Sequence, residues 1–507
     1  MLKSSDYIRV DELKEYRSVA LEMQFNSFAF LYFLGIVYIL YLLLRRWWKL
    51  QNLLLLAASY FFYSFGDWRW LFLLLFSTVM DYSIGRLLGK LTDHSSGGAW
   101  LRKLLLAFSI FGNLALLGVF KYFNFFSANL ERVLDLIHLS LDAPVLNIIA
   151  PLGISFWTLK SLSYTIDVYQ KRLEPVRSLV DYALFVAFFP TLLAGPLDRA
   201  RQLLPQIATP RNLTVEQLKN GLHLILVGFF KKLVIADNLA ARIADPVFNS
   251  YTDYSGLDIL LAGLAFMFQL YADFSGYTDI ARGVALLLGF NTTLNFRLPY
   301  FALNPTDFWQ RWHISFSEWL RDYIFFPTRR ALLRWKGASS VFGLLIPPMV
   351  TMCLSGLWHG AKWTFVLWGA YQGLLIILYR LLEKKPIHQD PWRSGQAYPL
   401  VAMRMILMFI LTLLGWFIFR SDSPGQVLYM LGNISPFSSA SSLGFLYDLV
   451  FFTAPLWVVE LVQYGRSDLL ILTRLPLAVR LLLNGMMLAA IVLLNGRVTT
   501  EFIYVQF

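Results

Sequence analysis

Hydrophobic positions in this 507-residue chain run in long uninterrupted blocks, without the alternation that marks a strand or the narrow stripe of a water-facing helix. Crossing a hydrocarbon core of about 30 Å takes about 20 helical residues. Blocks of that order recur near 25–44, 51–66, 70–88, 104–121, 145–165, 177–195, 219–236, 257–289, 340–355, 363–382, 399–419, 447–463 and 477–495. They predict an all-α, polytopic integral membrane protein. Some blocks are expected to be broken or re-entrant. Pro347-Pro348 interrupts one, Pro190 and Pro196 another, and Pro151, Gly153 and Lys160 thin the stretch 145–165. About eleven true spans are expected. The longest polar connections fall around 196–218, 296–340 and 384–398.

Residues 1–22 depart from this pattern as a charged extension carrying Lys3, Asp6, Arg9, Asp11, Glu12, Lys14, Glu15, Arg17 and Glu22. They lack the basic start, apolar core and small-residue cleavage site of a secretory signal. Met23, directly before the first apolar block, is an alternative start. Residues 23–507 read as a single transmembrane domain with no soluble domain, phosphate-binding loop or evident internal repeat.

Composition agrees with the hydropathy pattern: 57% of residues are hydrophobic, 17% aromatic and 15% charged. The formal net charge of +12 is spread over short loops, so it reads as topology and contact with anionic headgroups, with no nucleic-acid partner. Arg45, Arg46 and Lys49 follow the first block, Arg69 alone follows the second, and Arg86, Lys90, Arg102 and Lys103 follow the third. Lys and Arg accumulate in cytoplasmic loops, which places the N-terminus outside. Trp47, Trp48, Trp68 and Trp70 stand at the same boundaries as interfacial anchors. Cys353 is the only cysteine, which excludes an intrachain disulfide and a cysteine-rich metal site. No metal site is expected.

The candidate chemistry lies in two polar islands. The first runs from Asp307 to Tyr323 and holds Trp309, Arg311, Trp312, His313, Ser315, Glu318, Trp319, Arg321 and Asp322; the second is Ser355-Gly356-Leu357-Trp358-His359-Gly360-Ala361. Ionisable groups at membrane depth cost roughly 2.5–3.5 kcal/mol and persist where they line a cavity or carry chemistry. Glycines on both sides of Trp358-His359 place that dipeptide at the end or break of a helix. Asp307 and Arg311, and Glu318 and Arg321, are spaced to pair on a helix. Arg311, Arg321, Arg329 and Arg330 also suit phosphate oxygens. Asp273, Ser275, Tyr277 and Asp279 interrupt the block 257–289 and are expected on a helix break; a cavity role and a packing network both fit them. Asp81 and Asp167 either cap a broken helix or pair with a base. Cys353 reads as a packing residue or as a thioester relay six residues before His359.

These residues resemble a known family, the membrane-bound O-acyltransferases, and within it the bacterial alginate O-acetyltransferase (AlgI-like) branch related to the D-alanyl transfer proteins. The resemblance rests on Phe120-Lys121-Tyr122-Phe123-Asn124-Phe125-Phe126, Pro151-Leu152-Gly153-Ile154-Ser155-Phe156, Ser163 to Tyr169, Phe188-Phe189-Pro190 with Ala194-Gly195-Pro196, Asp273 to Ala281, Asn295 to Tyr300, both histidine islands, Gly415 to Arg420, and the ending Phe502 to Phe507. It implies helices ringing a funnel or tunnel in the bacterial inner membrane, with His359 near the narrow middle. It also implies acetyl transfer from cytoplasmic acetyl-CoA, a substrate and not a bound cofactor, to a hydroxyl on the outer side. The final acceptor is a cell-surface polysaccharide, reached directly or through an extracytoplasmic SGNH-type acetyltransferase partner.

On that reading His359 is the general base and His313 the second catalytic histidine, orienting the donor or meeting the oxyanion. Trp309, Arg311, Trp312, Ser315, Trp358, Asp273 and Tyr277 are expected to line the substrate site. A buried structural role for His313 among Trp309, Trp312 and Trp319 also stays open. Departures from the branch are Lys160 and Thr191, each in place of a usual glutamine, Gln372 in place of a usual histidine, and Pro327-Thr328-Arg329-Arg330 without the usual glycine pair. They bear on the acceptor and donor and leave the reaction class intact. The alternatives are D-alanyl transfer from a carrier protein and, because intramembrane Asp, Arg and His also occur in proton-coupled transporters, transport without chemistry.

Overall fold

The computed structural model describes residues 23–91, 96–139, 144–146, 150–336, 341–382, 398–495 and 502–503. The charged segment 1–22, most of the connection 384–398 and the last four residues lie outside the described residues. All regular structure among the described residues is helical. Eight helices there are long and apolar enough to cross a membrane: Trp68–Lys90, Gly97–Leu136, Gly256–Leu287, Val341–His359, Trp363–Leu382, Tyr398–Arg420, Ser442–Arg466 and Leu477–Leu494. Phe28–Leu43 is apolar but shorter. The block 177–195 is divided at Phe188 into Leu179–Ala187 and Phe189–Leu192, as its prolines predict.

Two expected breaks are absent, and each has a physical reason. Gly256–Leu287 is one continuous helix, because its polar residues find partners without leaving it. Asp279 accepts from Lys231 Nζ at 2.8 Å, Asp273 from Lys232 Nζ at 2.7 Å, and the Thr278 hydroxyl donates to the Ser275 carbonyl at 3.0 Å. Val341–His359 likewise continues through Pro347 and Pro348. Backbone bonds lost to proline are tolerated in membrane helices where neighbouring groups hold the segment; one turn further on, Thr351 Oγ1 also donates to the Pro347 carbonyl at 2.6 Å.

The chain folds into two compact units of interleaved sequence. Of the described residues, the first comprises those within 23–120, 150–225 and 280–292. In its core, helix Ile154–Tyr169 packs against Trp68–Lys90 and Ser96–Leu117. Buried Arg102 fastens two helix C-termini by donating to Leu88 O at 2.7 Å and Tyr169 O at 2.6 Å, satisfying carbonyls that lack intrahelical partners. Asp81 has hydroxyl and amide partners: Ser109 Oγ donates at 2.5 Å, Asn113 Nδ2 at 2.8 Å and Thr165 Oγ1 at 3.2 Å. Asp167 takes the basic alternative, with Arg201 Nε at 2.9 Å.

The second unit comprises the described residues within 121–146, 226–279 and 293–503. Its tightest helix pair is Val341–His359 with Trp363–Leu382. The two backbones touch at glycine: a Cβ on Gly356 would meet the Phe365 carbonyl, and one on Gly369 the Met352 carbonyl. Small residues at such an interface let membrane helices pack closely where lipid supplies no hydrophobic drive. Gly369→Leu is therefore expected to cost about 3 kcal/mol, the upper end for overpacking, since backbone has nowhere to yield. A depressed unfolding temperature in detergent checks this, and an unchanged one contradicts it.

Candidate active site in the second unit

His313 is placed by its own backbone. It precedes helix Ile314–Leu320 in the left-handed region, at φ 45° and ψ 51°. A side-chain-bearing residue there costs of order 1–3 kcal/mol and persists where its surroundings fix it. Asn295 is the fixing residue, and it is fully buried. Its carbonyl accepts from Ile314 N at 3.0 Å, while its side-chain Oδ1 meets Ser315 Oγ at 2.9 Å, Ser315 N at 3.3 Å and His313 Nδ1 at 3.2 Å. An acceptor oxygen that takes two hydrogen bonds from Ser315 requires His313 to donate from Nδ1, which leaves Nε2 as the lone-pair nitrogen of the neutral ring. His313 lies outside the eight spans, and burial lowers its pKa to about 3, so the ring is neutral across physiological pH.

His359 is the last residue of helix Val341–His359, as the flanking glycines predict. Both histidines are buried, 1% and 2% exposed, and the same two rings touch both. Phe316 stacks on Trp358 at 4.2 Å. His313 lies 4.9 Å from the Phe316 centroid and 6.1 Å from Trp358; His359 lies 5.9 Å and 5.0 Å from the same pair. Phe274 closes over His313 at 4.7 Å, and Trp368 and Phe419 over His359 at 5.3 Å each. Aromatic residues of five helices thus converge on the two histidines in a dry environment, where electrostatic interactions are strong.

The expected lining residues divide into three groups. Trp309, Trp312 and Trp358 join the aromatic cluster: Trp309 is 5.8 Å from Trp368, and Trp312 is 4.9 Å from Trp416. The indole N–H groups of Trp309, Trp368 and Trp416 are buried without a hydrogen-bond partner among the described residues, as are Ser355 Oγ and Gln372 Oε1. Ser315 and Arg311 serve the scaffold. Ser315 holds Asn295, and Arg311 Nε meets Asp307 Oδ1 at 2.7 Å in the pairing its spacing predicts. Glu318 and Arg321 pair more loosely, at 3.8 Å.

Asp273 and Tyr277 engage the chain's own charges and C-terminal stretch. Lys232 Nζ bridges Asp273 at 2.7 Å and Asp237 at 2.9 Å, Ile503 N donates to Asp273 Oδ2 at 2.8 Å, and Phe502 packs on Tyr277 at 5.1 Å. Close approach of two helices makes this cluster, because a Cβ on Gly276 would meet the Gly228 carbonyl. Sequence reasoning singled out neither Asn295 nor Lys232 individually. Asn295 opens, and Trp416 and Phe419 lie within, stretches that carry the family resemblance; Lys232 had only the signal of a charge inside an apolar block. In the first unit, two of the departures meet: buried Lys160 donates to Thr191 Oγ1 at 3.2 Å.

On a helix, Cys353 and His359 are about 9 Å apart along the axis and about 240° around it. Cys353 instead lies against the Gly369 face, as a packing residue would. Cys353→Ala is expected to keep acyl transfer within about twofold of wild type. Loss of transfer together with a covalent label on Cys353 in the parent would establish the relay instead.

Residues 55–418 match the membrane-bound O-acyltransferase family. Among curated proteins, the chain is 39% identical over 405 residues to a probable alginate O-acetylase AlgI of Azotobacter vinelandii, covering 79% of this chain and 76% of the relative. It is 34% identical over 388 residues to a peptidoglycan O-acetyltransferase of Helicobacter pylori, covering 70% of each. It is 30% identical over 285 residues to a teichoic acid D-alanyltransferase of Bacillus subtilis, covering 54% of this chain and 70% of the relative.

Proposed function

Because the chain belongs to the membrane-bound O-acyltransferase family, we propose that this multi-pass acyltransferase moves an acetyl group from cytoplasmic acetyl-CoA to a hydroxyl on the outer side of the bacterial inner membrane. The acetyl group finally modifies a cell-surface polysaccharide, handed on by a separate extracytoplasmic acetyltransferase of the SGNH type. The N-terminus faces outward, with the basic loops after the first and third apolar blocks in the cytoplasm. One observation carries the chemistry: His313 and His359 share the Phe316–Trp358 wall. The longer and closer matches to O-acetylating relatives support acetyl over D-alanyl transfer.

In this reading His359 removes the proton of the attacking hydroxyl as its oxygen bonds to the acetyl carbonyl carbon. The C–S bond breaks, the CoA thiolate departs, and the imidazolium returns the proton to it, so the enzyme ends unchanged. His313, held by Asn295, hydrogen-bonds the donor and keeps the carbonyl in line. The buried indole N–H groups around the cluster suit a donor rich in carbonyl oxygens. Offering the purified protein acetyl-CoA and, separately, a D-alanyl carrier-protein thioester tests the assignment. Acetyl transfer with CoA release is expected; use of the carrier thioester alone would overturn the donor, and use of neither would overturn the acyl-transfer reading itself.

A further inference from the structure

A helix leaves the carbonyls of its last turn without intrahelical partners, and in a water-excluded interior something must supply donors to them. For helix Val341–His359 this requirement coincides with the proposed chemistry, because the helix ends on the residue carrying the base. Whatever grips carbonyls 357 and 358 therefore sets the direction in which the His359 side chain leaves the helix. Two consecutive residues do so. Lys121 Nζ donates to the Trp358 carbonyl at 2.7 Å, and the Tyr122 hydroxyl donates to the Leu357 carbonyl at 3.0 Å. Lys121 Nζ also lies 5.7 Å from the centroid of the Trp358 ring, within cation–π range of the same wall that touches both histidines.

Lys121 and Tyr122 close the π-helical turn Gly118–Tyr122 in the helical rod Gly97–Leu136. A π-turn adds a residue to the helix and redirects the side chains around it, and such turns recur at functional sites. Two independent features converge here: a local departure from α-geometry, and a pair of long donors that reach the two carbonyls adjoining His359.

We propose that Lys121 and Tyr122 are positioning residues of the acyl-transfer site, capping the helix that ends in His359 and so fixing the orientation of its imidazole. The proposal rests on the reading of His359 as the base. Neither residue needs to touch substrate: their effect runs through the geometry of the base, where a displacement of about 1 Å costs as much as 100-fold in rate.

The test compares Lys121→Met, Lys121→Arg, Tyr122→Phe and His359→Ala in purified full-length protein turning over acetyl-CoA, with rates expressed per folded molecule. Lys121→Met is expected to lower kcat about 10- to 100-fold with KM for acetyl-CoA within about threefold of wild type. Lys121→Arg, which keeps a cationic donor, is expected to recover kcat to within about fivefold, and Tyr122→Phe to lose about three- to tenfold. A purely structural cap would lower the folded fraction and leave the rate per folded molecule intact, and that result overturns the proposal. So does a rise in KM at constant kcat, which would make Lys121 a donor contact. Should Lys121→Met fail to fold, Tyr122→Phe carries the decision, and a kcat within twofold of wild type then refutes the cap. An inactive His359→Ala beside an unimpaired Lys121→Met removes this inference alone; turnover retained in His359→Ala removes the reading it rests on.

Discussion

Alanine in place of His359 is expected to reduce acyl transfer by about 10² to 10⁴, the range a general base contributes, while the membrane domain remains folded. The imidazole is 2% exposed, and the rings of Phe316, Trp358, Trp368 and Phe419 that pack on it accept no proton. The helix itself is held by the Gly356 and Gly369 contacts, which the substitution leaves in place. Truncating a buried ring leaves a cavity, so His359→Gln serves as the companion: it fills most of the volume, keeps hydrogen-bonding capacity and offers no titratable nitrogen. Both variants are expected to elute as the parent does and to release CoA at the same low rate. A fast His359→Gln would show that the ring positions substrate without moving a proton.

The second large effect is on stability. Lys232→Met is expected to prevent accumulation of folded protein, because Lys232 is the cation shared by Asp273 and Asp237, all three of them at most 3% exposed at the side chain. Removing one partner from a buried ion pair costs about 3–5 kcal/mol, the penalty of leaving the opposite charge uncompensated. Here two carboxylates would be left facing each other, and the ring of Phe502, 4.5 Å from the ammonium, would lose its cation. The double variant Lys232→Met with Asp273→Asn removes one of those charges and should recover part of the yield. Measured by monodisperse protein per cell, a wild-type yield for Lys232→Met would mean that the cluster contributes nothing to folding.

Most of the helical fold and the two polar islands that meet in it are legible in the sequence, for reasons particular to membrane proteins. Length and apolarity alone mark a span. Asp307 and Arg311 pair because four residues bring side chains onto one helix face, a local rule. The errors came where a local rule met a tertiary partner. Pro347 and Pro348 read as a break, and so does Asp273 to Asp279, yet both segments stay helical, the second because Lys231 and Lys232 meet its carboxylates. Asn295 shows the limit from the other side. Its hold on His313 depends on a left-handed residue eighteen positions away, which no periodicity reveals. Lys121 is further still from Trp358, 237 residues along the chain, so its grip on the His359 helix is visible only once the helices are packed.

The most direct measurement is transfer of a labelled acetyl group. Wild-type protein and His359→Ala, reconstituted in nanodiscs, would be given acetyl-CoA labelled in the acetyl carbon together with a soluble hydroxyl acceptor, following label on oxygen ester and free CoA together. The account predicts equal amounts of ester and CoA from the wild type, and label left on CoA by His359→Ala. Ester formed at the wild-type rate without His359 would contradict it.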